Sequence, residues 1–207
     1  TDPAGNPLGG AGAGNGSFTT GDVYTIDTAA PFVQSIARAF ANPTSSSFVN
    51  FTVTFNENVT GVNVGDFALT STGLTGANIT TRIQVTPSVY TIVVQTGAGT
   101  GTIRLDLIDN DSIVDGLNNP LGGAGPVNGD FTTGEVFTID RTDPTVVSVT
   151  RDDLNPTAEA NVGFTVTFSE AVTGFTAAGL SLSTAGVSGA SIQSVSPASG
   201  SVYTVNV

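Results

Sequence analysis

Five residue types are missing from this chain of 207: lysine, histidine, cysteine, methionine and tryptophan. Without histidine and cysteine there is no imidazole or thiol to serve as nucleophile or general base. The usual side-chain ligands of zinc, copper and haem go with them. Without cysteine there is no disulfide staple, and cysteine usage cannot mark a redox compartment. Without lysine no Schiff base can form, and no Lys–Asn isopeptide cross-link either. The five cations are all arginines (Arg38, Arg82, Arg104, Arg141 and Arg151) against 17 acidic residues. Cations this few and scattered make no phosphate-binding patch, so nucleic acid is not an expected partner. No apolar run reaches the roughly 18 residues that span a bilayer. No targeting leader is visible, so the expectation is a segment internal to a longer precursor.

What remains is oxygen chemistry on an acidic chain of formal charge -12. Hard cations such as calcium suit it; enzymatic function is not expected. Gly, Thr, Ser and Val dominate, and 39% of residues are hydrophobic, which points to a folded all-β chain rather than a disordered one.

The chain repeats itself at a shift of 113 residues without a gap. Asn6-Pro7-Leu8-Gly9-Gly10 recurs as Asn119-Pro120-Leu121-Gly122-Gly123, and Thr25-Ile26-Asp27 as Thr138-Ile139-Asp140. Phe51-Thr52-Val53-Thr54-Phe55 recurs as Phe164-Thr165-Val166-Thr167-Phe168, and Ser88-Val89-Tyr90-Thr91 as Ser201-Val202-Tyr203-Thr204. In all, 45 of 94 paired positions are identical, which marks a repeat array rather than chance. The phase of the repeat predicts residues 28–140 as one whole unit. Residues 1–27 match the tail of a preceding unit, and residues 141–207 the first part of the next.

Within 28–140, period-2 alternation predicts seven strands, at about 31–38, 48–56, 64–70, 77–85, 88–95, 101–108 and 134–139. Val49, Phe51, Val53 and Phe55 should face a core, as should Tyr90, Ile92 and Val94, and Ile103, Leu105 and Leu107. Arg104 and Asp106 should face outward. No stretch has a convincing helical period. About seven short strands per repeat predict tandem immunoglobulin-like β-sandwiches; a closed barrel is the main competitor.

Several segments resemble a known family. Thr25-Ile26-Asp27-Thr28-Ala29-Ala30-Pro31 looks like the junction of bacterial Ig-like tandem repeats in large secreted surface adhesins and fibre proteins. So do Phe55-Asn56-Glu57-Asn58-Val59-Thr60-Gly61 and its copy Phe168-Ser169-Glu170-Ala171-Val172-Thr173-Gly174. Asp2-Pro3-Ala4-Gly5-Asn6-Pro7-Leu8, and less closely Asp115-Gly116-Leu117-Asn118-Asn119-Pro120-Leu121, resembles the segment before the last strand of such repeats. The resemblance implies secretion or cell-surface display, tandem arrays serving adhesion or fibres, and often calcium at domain junctions.

Antiparallel succession brings the linker, the second-to-third-strand loop and the sixth-to-seventh-strand loop to one end of the sandwich. That end should gather Asp27, Glu57, Asp109, Asp111 and Asp115. In the next copy the corresponding candidates are Asp140, Asp143 and Glu170. Calcium takes six to eight oxygens in flexible geometry, so these acids are candidate ligands; plain solvated loops remain the alternative. Asp66 is a weaker candidate, because its partner position is Gly179. Asp109-Asn110-Asp111 lacks the glycine and the closing glutamate of an EF-hand loop.

The expected function is a structural repeat of a stalk, fibre or adhesin shaft, with a carbohydrate- or surface-binding module as the alternative. Expected partners are neighbouring repeats, other copies in a filament, or a glycan or cell-surface ligand. The segment Gly21–Ile26 reads as a last strand without its own sandwich. That leaves donor-strand exchange open beside a window on a longer array.

Overall fold

The computed structural model describes residues 1–207 and divides into two compact units, Thr1–Ile139 and Asp140–Val207. In the first unit the strands are β1 (Val33–Arg38), β2 (Phe48–Phe55), β3 (Phe67–Thr72), β4 (Asn78–Thr86), β5 (Val89–Gln95), β6 (Gly101–Leu107) and β7 (Val136–Ile139). They form two antiparallel sheets, β1-β2-β5-β4 and β3-β6-β7. Seven strands split in that order are the A-B-E-D and C-F-G sheets of an immunoglobulin-type sandwich. The barrel alternative fails, because the two sheets do not join edge to edge into one closed ladder. Helical structure is limited to single 3-10 turns at Val64–Asp66 and Ala177–Gly179. No helix is long and apolar enough to cross a membrane.

Alternation explains the core. On β2, Val49, Phe51, Val53 and Phe55 are buried while the residues between them are not. Tyr90, Ile92 and Val94 on β5 share that inner face. Ile103, Leu105 and Leu107 on β6 oppose them from the second sheet. The sheets are clamped by Phe51 and Phe137, whose rings meet edge-on at 5.2 Å. Burying each such side chain is worth about 1.5–3 kcal/mol, which lets the sandwich stand without staples.

One expectation holds with an addition, and another needs correction. Asp106 lies on the outer side of β6 as the alternation predicts, yet it is buried. Arg104 Nε lies 2.7 Å from its Oδ1, and Thr70 Oγ1 donates to its Oδ2 at 2.6 Å. Neighbours on β3 and β6 thus cover it, because an unpartnered buried carboxylate would be costly. The correction concerns Gly21–Ile26, which forms no strand. Val23 and Tyr24 are 90% and 92% exposed. With no partner strand to complete a ladder, a good strand sequence stays unpaired.

The second unit holds β8 (Val146–Arg151), β9 (Gly163–Phe168), β10 (Ser194–Pro197) and β11 (Val202–Asn206) in one sheet, ordered β8-β9-β11-β10. This is the A-B-E-D plan again, without a facing sheet. Even the irregularity is kept: the β1–β2 register shifts between Val33 and Ser35, and the β8–β9 register between Val146 and Ser148.

Candidate cation site

The site begins with a local device. Asp115 sits in the loop between β6 and β7, where its Oδ1 accepts the N–H groups of Leu117 and Asn119, both at 2.8 Å. Its Oδ2 accepts Asn119 Nδ2 at 2.8 Å. The aspartate thereby closes a five-residue turn on itself. Asp2 does the same with the N–H groups of Ala4 and Asn6 and with Asn6 Nδ2. Burial pushes the Asp115 carboxyl upward, but the side-chain and backbone donors of Asn119 and the Leu117 N–H outweigh it and hold the group below its ordinary value. The Asp2 carboxyl is lowered too, chiefly by the Asn6 side chain.

Two further segments converge on Asp115. Asn119 Nδ2 also reaches the Asp27 carbonyl at 3.4 Å, which ties the incoming linker to this loop. Farther along, Gly122 N–H donates to Pro31 O at 2.9 Å. The end of β2 is pinned to the same linker: Asn56 Oδ1 accepts Phe32 N–H, and Asn56 N–H donates to Phe32 O. Glu57 follows directly, its Oε1 accepting Asn56 Nδ2 at 3.1 Å. The result is a group of three carboxylates, Asp27, Glu57 and Asp115, with one oxygen from each lying within 4.8 Å of the others. Asp115 is buried, Glu57 half-buried and Asp27 exposed. Arg38 pairs with Glu135 and Arg104 with Asp106, so neither neutralises the cluster. Two oxygens each about 2.4 Å from one ion lie at most about 4.8 Å apart, so one calcium-sized ion fits this spread.

Asp109 and Asp111 do not join that group. Asp109 is buried, its oxygens accepting the N–H groups of Asp111 and Gly129 at 3.1 Å each. Asp111 has a left-handed backbone (φ 62), and its Oδ2 accepts Gly125 N–H. Its Oδ1 is buried without a hydrogen-bond partner. Both acids therefore shape the long β6–β7 loop from within. Asp66 behaves likewise, holding Asn63 N–H, Asn110 Nδ2 and Ser112 Oγ. In the second unit Asp140, Asp143 and Glu170 assemble no group of three carboxylates, and Asp140 Oδ1 accepts Thr142 N–H. Sequence reasoning missed Asn119, which orients Asp115 and touches the linker. The signal was available, since an asparagine four residues after the aspartate occurs in both copies, at Asn6 and Asn119.

No family model matches the chain, and no curated protein matches it. Among solved structures, the chain is similar to FdeC, described as a broadly conserved Escherichia coli adhesin, at 15% identity and a TM-score of 0.38. The match covers 84% of this chain and 55% of that one, so this chain spans little more than half of its length. A likeness that loose carries no argument about function.

Proposed function

We propose that the chain is a structural repeat of an extracellular stalk, fibre or adhesin shaft, secreted or displayed at the cell surface. We further propose that calcium bound by Asp27, Glu57 and Asp115 stiffens the passage from linker to sandwich. The observation that carries this reading is one strand plan used twice at a 113-residue offset, down to the register shift at the start of each unit. Head-to-tail units that rely on their own strands suit reach and load, with neighbouring repeats and other copies in a filament as partners. A chain without histidine, cysteine or lysine, whose buried acids hold backbone, favours a mechanical role over a catalytic one.

Calcium addition should raise the melting temperature of the first unit, by an amount that grows with free calcium over Kd. It should also narrow the conformational spread seen in solution scattering. Glu57→Ala should remove most of both responses and leave the metal-free melting curve unchanged. A wild-type chain whose melting and scattering ignore calcium and chelator would sink the calcium assignment.

The alternative of a carbohydrate-binding module has one supporting feature. Phe40 and Phe48, both about half exposed, flank a recess with Ala41, Thr44 and Ser46. Saturable binding of a glycan, lost in Phe48→Ala, would replace the shaft reading.

A further inference from the structure

The first and last strands of the sandwich belong to different sheets, yet they touch along one seam. Glu135 N–H donates to Ile36 O at 3.0 Å. Arg38 N–H donates to Glu135 Oε2 at 2.7 Å, and Arg38 Nε lies 3.4 Å from the same oxygen. Arg38 Nη1 reaches Val136 O at 3.0 Å, and its guanidinium carbon lies 5.9 Å from the centre of the Phe137 ring. Past the end of β1, Thr138 N–H donates to Asn42 Oδ1 at 2.6 Å and Thr44 N–H to Thr138 O at 3.0 Å. The partners advance together along both stretches, and Thr44 and Ile139 form a parallel bridge. The side chains of Arg38, Glu135 and Asn42 thus join two strands that no regular ladder joins.

This arrangement decides how a pull along the chain is met. Tension enters through the linker ahead of β1 and leaves past Ile139 at the end of β7. It drags β1 toward its start and β7 toward its end. The two strands run parallel, so those are opposite directions, and the bonds across the seam are sheared together rather than opened in turn. The core between the sheets is apolar and non-directional, so it resists sliding less sharply than aligned hydrogen bonds do.

We propose that this seam is the load-bearing element of the unit, and that Arg38 and Glu135 are its latch. Only a unit held at both ends feels such a pull, so this role rests on the shaft reading. The Arg38 N–H and, less strongly, the Arg38 charge hold the Glu135 carboxyl below its ordinary value, which keeps the latch ionised. With side chains 27% and 50% exposed, the pair adds little to resting stability. Under shear it must break before the strands can part. The repeat carries the same parts: Arg38, Asn42 and Thr44 recur as Arg151, Asn155 and Thr157, and an acid stands at both Asp22 and Glu135.

The chain has no cysteine, so two introduced ones give unique handles. The full chain is held through Ala29→Cys and Asp140→Cys, and its lifetime at constant force is recorded, a readout set by the unfolding rate. Glu135→Ala should shorten that lifetime about tenfold, the loss expected of one charge-assisted hydrogen bond discounted for its exposure. Arg38→Ala should do the same. Thr70→Ala breaks the bond to Asp106 between β3 and β6, away from the seam. It should lower stability in urea and leave the lifetime under load nearly unchanged. Equal shortening by all three variants, or none by the two seam variants, would overturn the proposal. Held instead through Ala39→Cys and Asp140→Cys, both near one end of the seam, the parent should yield at lower force, because the bonds then open in turn. A parent equally strong in both directions would also count against the latch. A strong parent indifferent to Glu135→Ala and Arg38→Ala would move the load elsewhere and leave the shaft reading standing, whereas a parent that yields as soon as it is loaded would remove both.

Discussion

The first sheet of the sandwich and the single sheet of the second unit are built from the same sequence, yet their inner faces meet different fates. Ile36 on β1 is 2% exposed, while Val149, at the matching place on β8, is 58% exposed. Phe51 is wholly buried and its counterpart Phe164 only partly. The ladders themselves are alike. Phe51 pairs with Ile92 and Tyr90 with Val53; Phe164 pairs with Val205 and Tyr203 with Val166. The third strand behaves otherwise. β3 runs from Phe67 to Thr72 against β6, whereas residues 180–185 form no strand although the 3-10 turn before them is retained. Strands one, two and five find their partners within their own four-strand sheet, but the third needs the sixth. Where no sixth strand pairs, its backbone has no ladder to join. In the second unit Phe175, at the place of the buried Val62, packs edge-on against Phe168 at 5.0 Å and against Tyr203 at 5.1 Å.

Truncating matched residues should expose this asymmetry most strongly at the phenylalanines. Phe51→Ala should cost the first unit about 3–5 kcal/mol, the usual loss for a buried aromatic. Phe164→Ala should cost the second unit clearly less, because part of its ring already meets water. Urea unfolding followed by hydrogen exchange, which resolves the two units separately, would measure both. Equal losses would mean that the two inner faces are equally packed.

A smaller difference is expected at the paired glycines Gly61 and Gly174, both left-handed (φ 86 and 74). Either alanine variant should cost about 1–2 kcal/mol for the backbone conformation alone. At Gly61 a Cβ would also strike Ser112 O, at 2.0 Å, whereas at Gly174 it would meet nothing within 4 Å. Gly61→Ala should therefore be the more destabilising of the two in the same exchange experiment. The reverse order would contradict the close approach of the β6–β7 loop.

The smallest effect concerns acid. Asp115 and Asp2 both have carboxyls held below the ordinary 3.8. A lowered value in the folded state gives stability that is present above the unfolded value and is lost as pH falls through the folded one. Below about pH 4 the first unit should thus lose stability through Asp115, and Asp115→Asn should flatten that part of the pH profile. Asp2→Asn should leave the profile unchanged, because its loop stands in the exposed N-terminal segment and secures no core. A parent and Asp115→Asn chain with the same acid profile would remove Asp115 from the account.

Much of the fold was legible because period-2 alternation is a direct image of burial. Val49, Phe51, Val53 and Phe55, Tyr90, Ile92 and Val94, and Ile103, Leu105 and Leu107 all face inward as their pattern predicts. Asp106 takes the outer face that its pattern predicts and is nonetheless buried, since alternation reports which face a side chain takes and not what covers it there. In the candidate site, Asp27, Glu57 and Asp115 come together because antiparallel strands return their loops to one end. Asp109 and Asp111 lie in the same loop but turn to backbone donors, and loop hydrogen bonding leaves no period in the sequence. The exposed Val23–Ile26 segment makes the same point, because its near-copy forms β7 when β6 is there to pair with it.

By itself, the sequence determined the short-range features of this protein: which residues alternate, where β1 slips against β2, and how an aspartate closes a turn onto an asparagine four residues on. Those features appear in both copies because their partners lie close along the chain. Tertiary structure alone decided which distant strands pair, which apolar face is shielded, and which acids meet. Each of these depends on segments far apart in sequence arriving at one place.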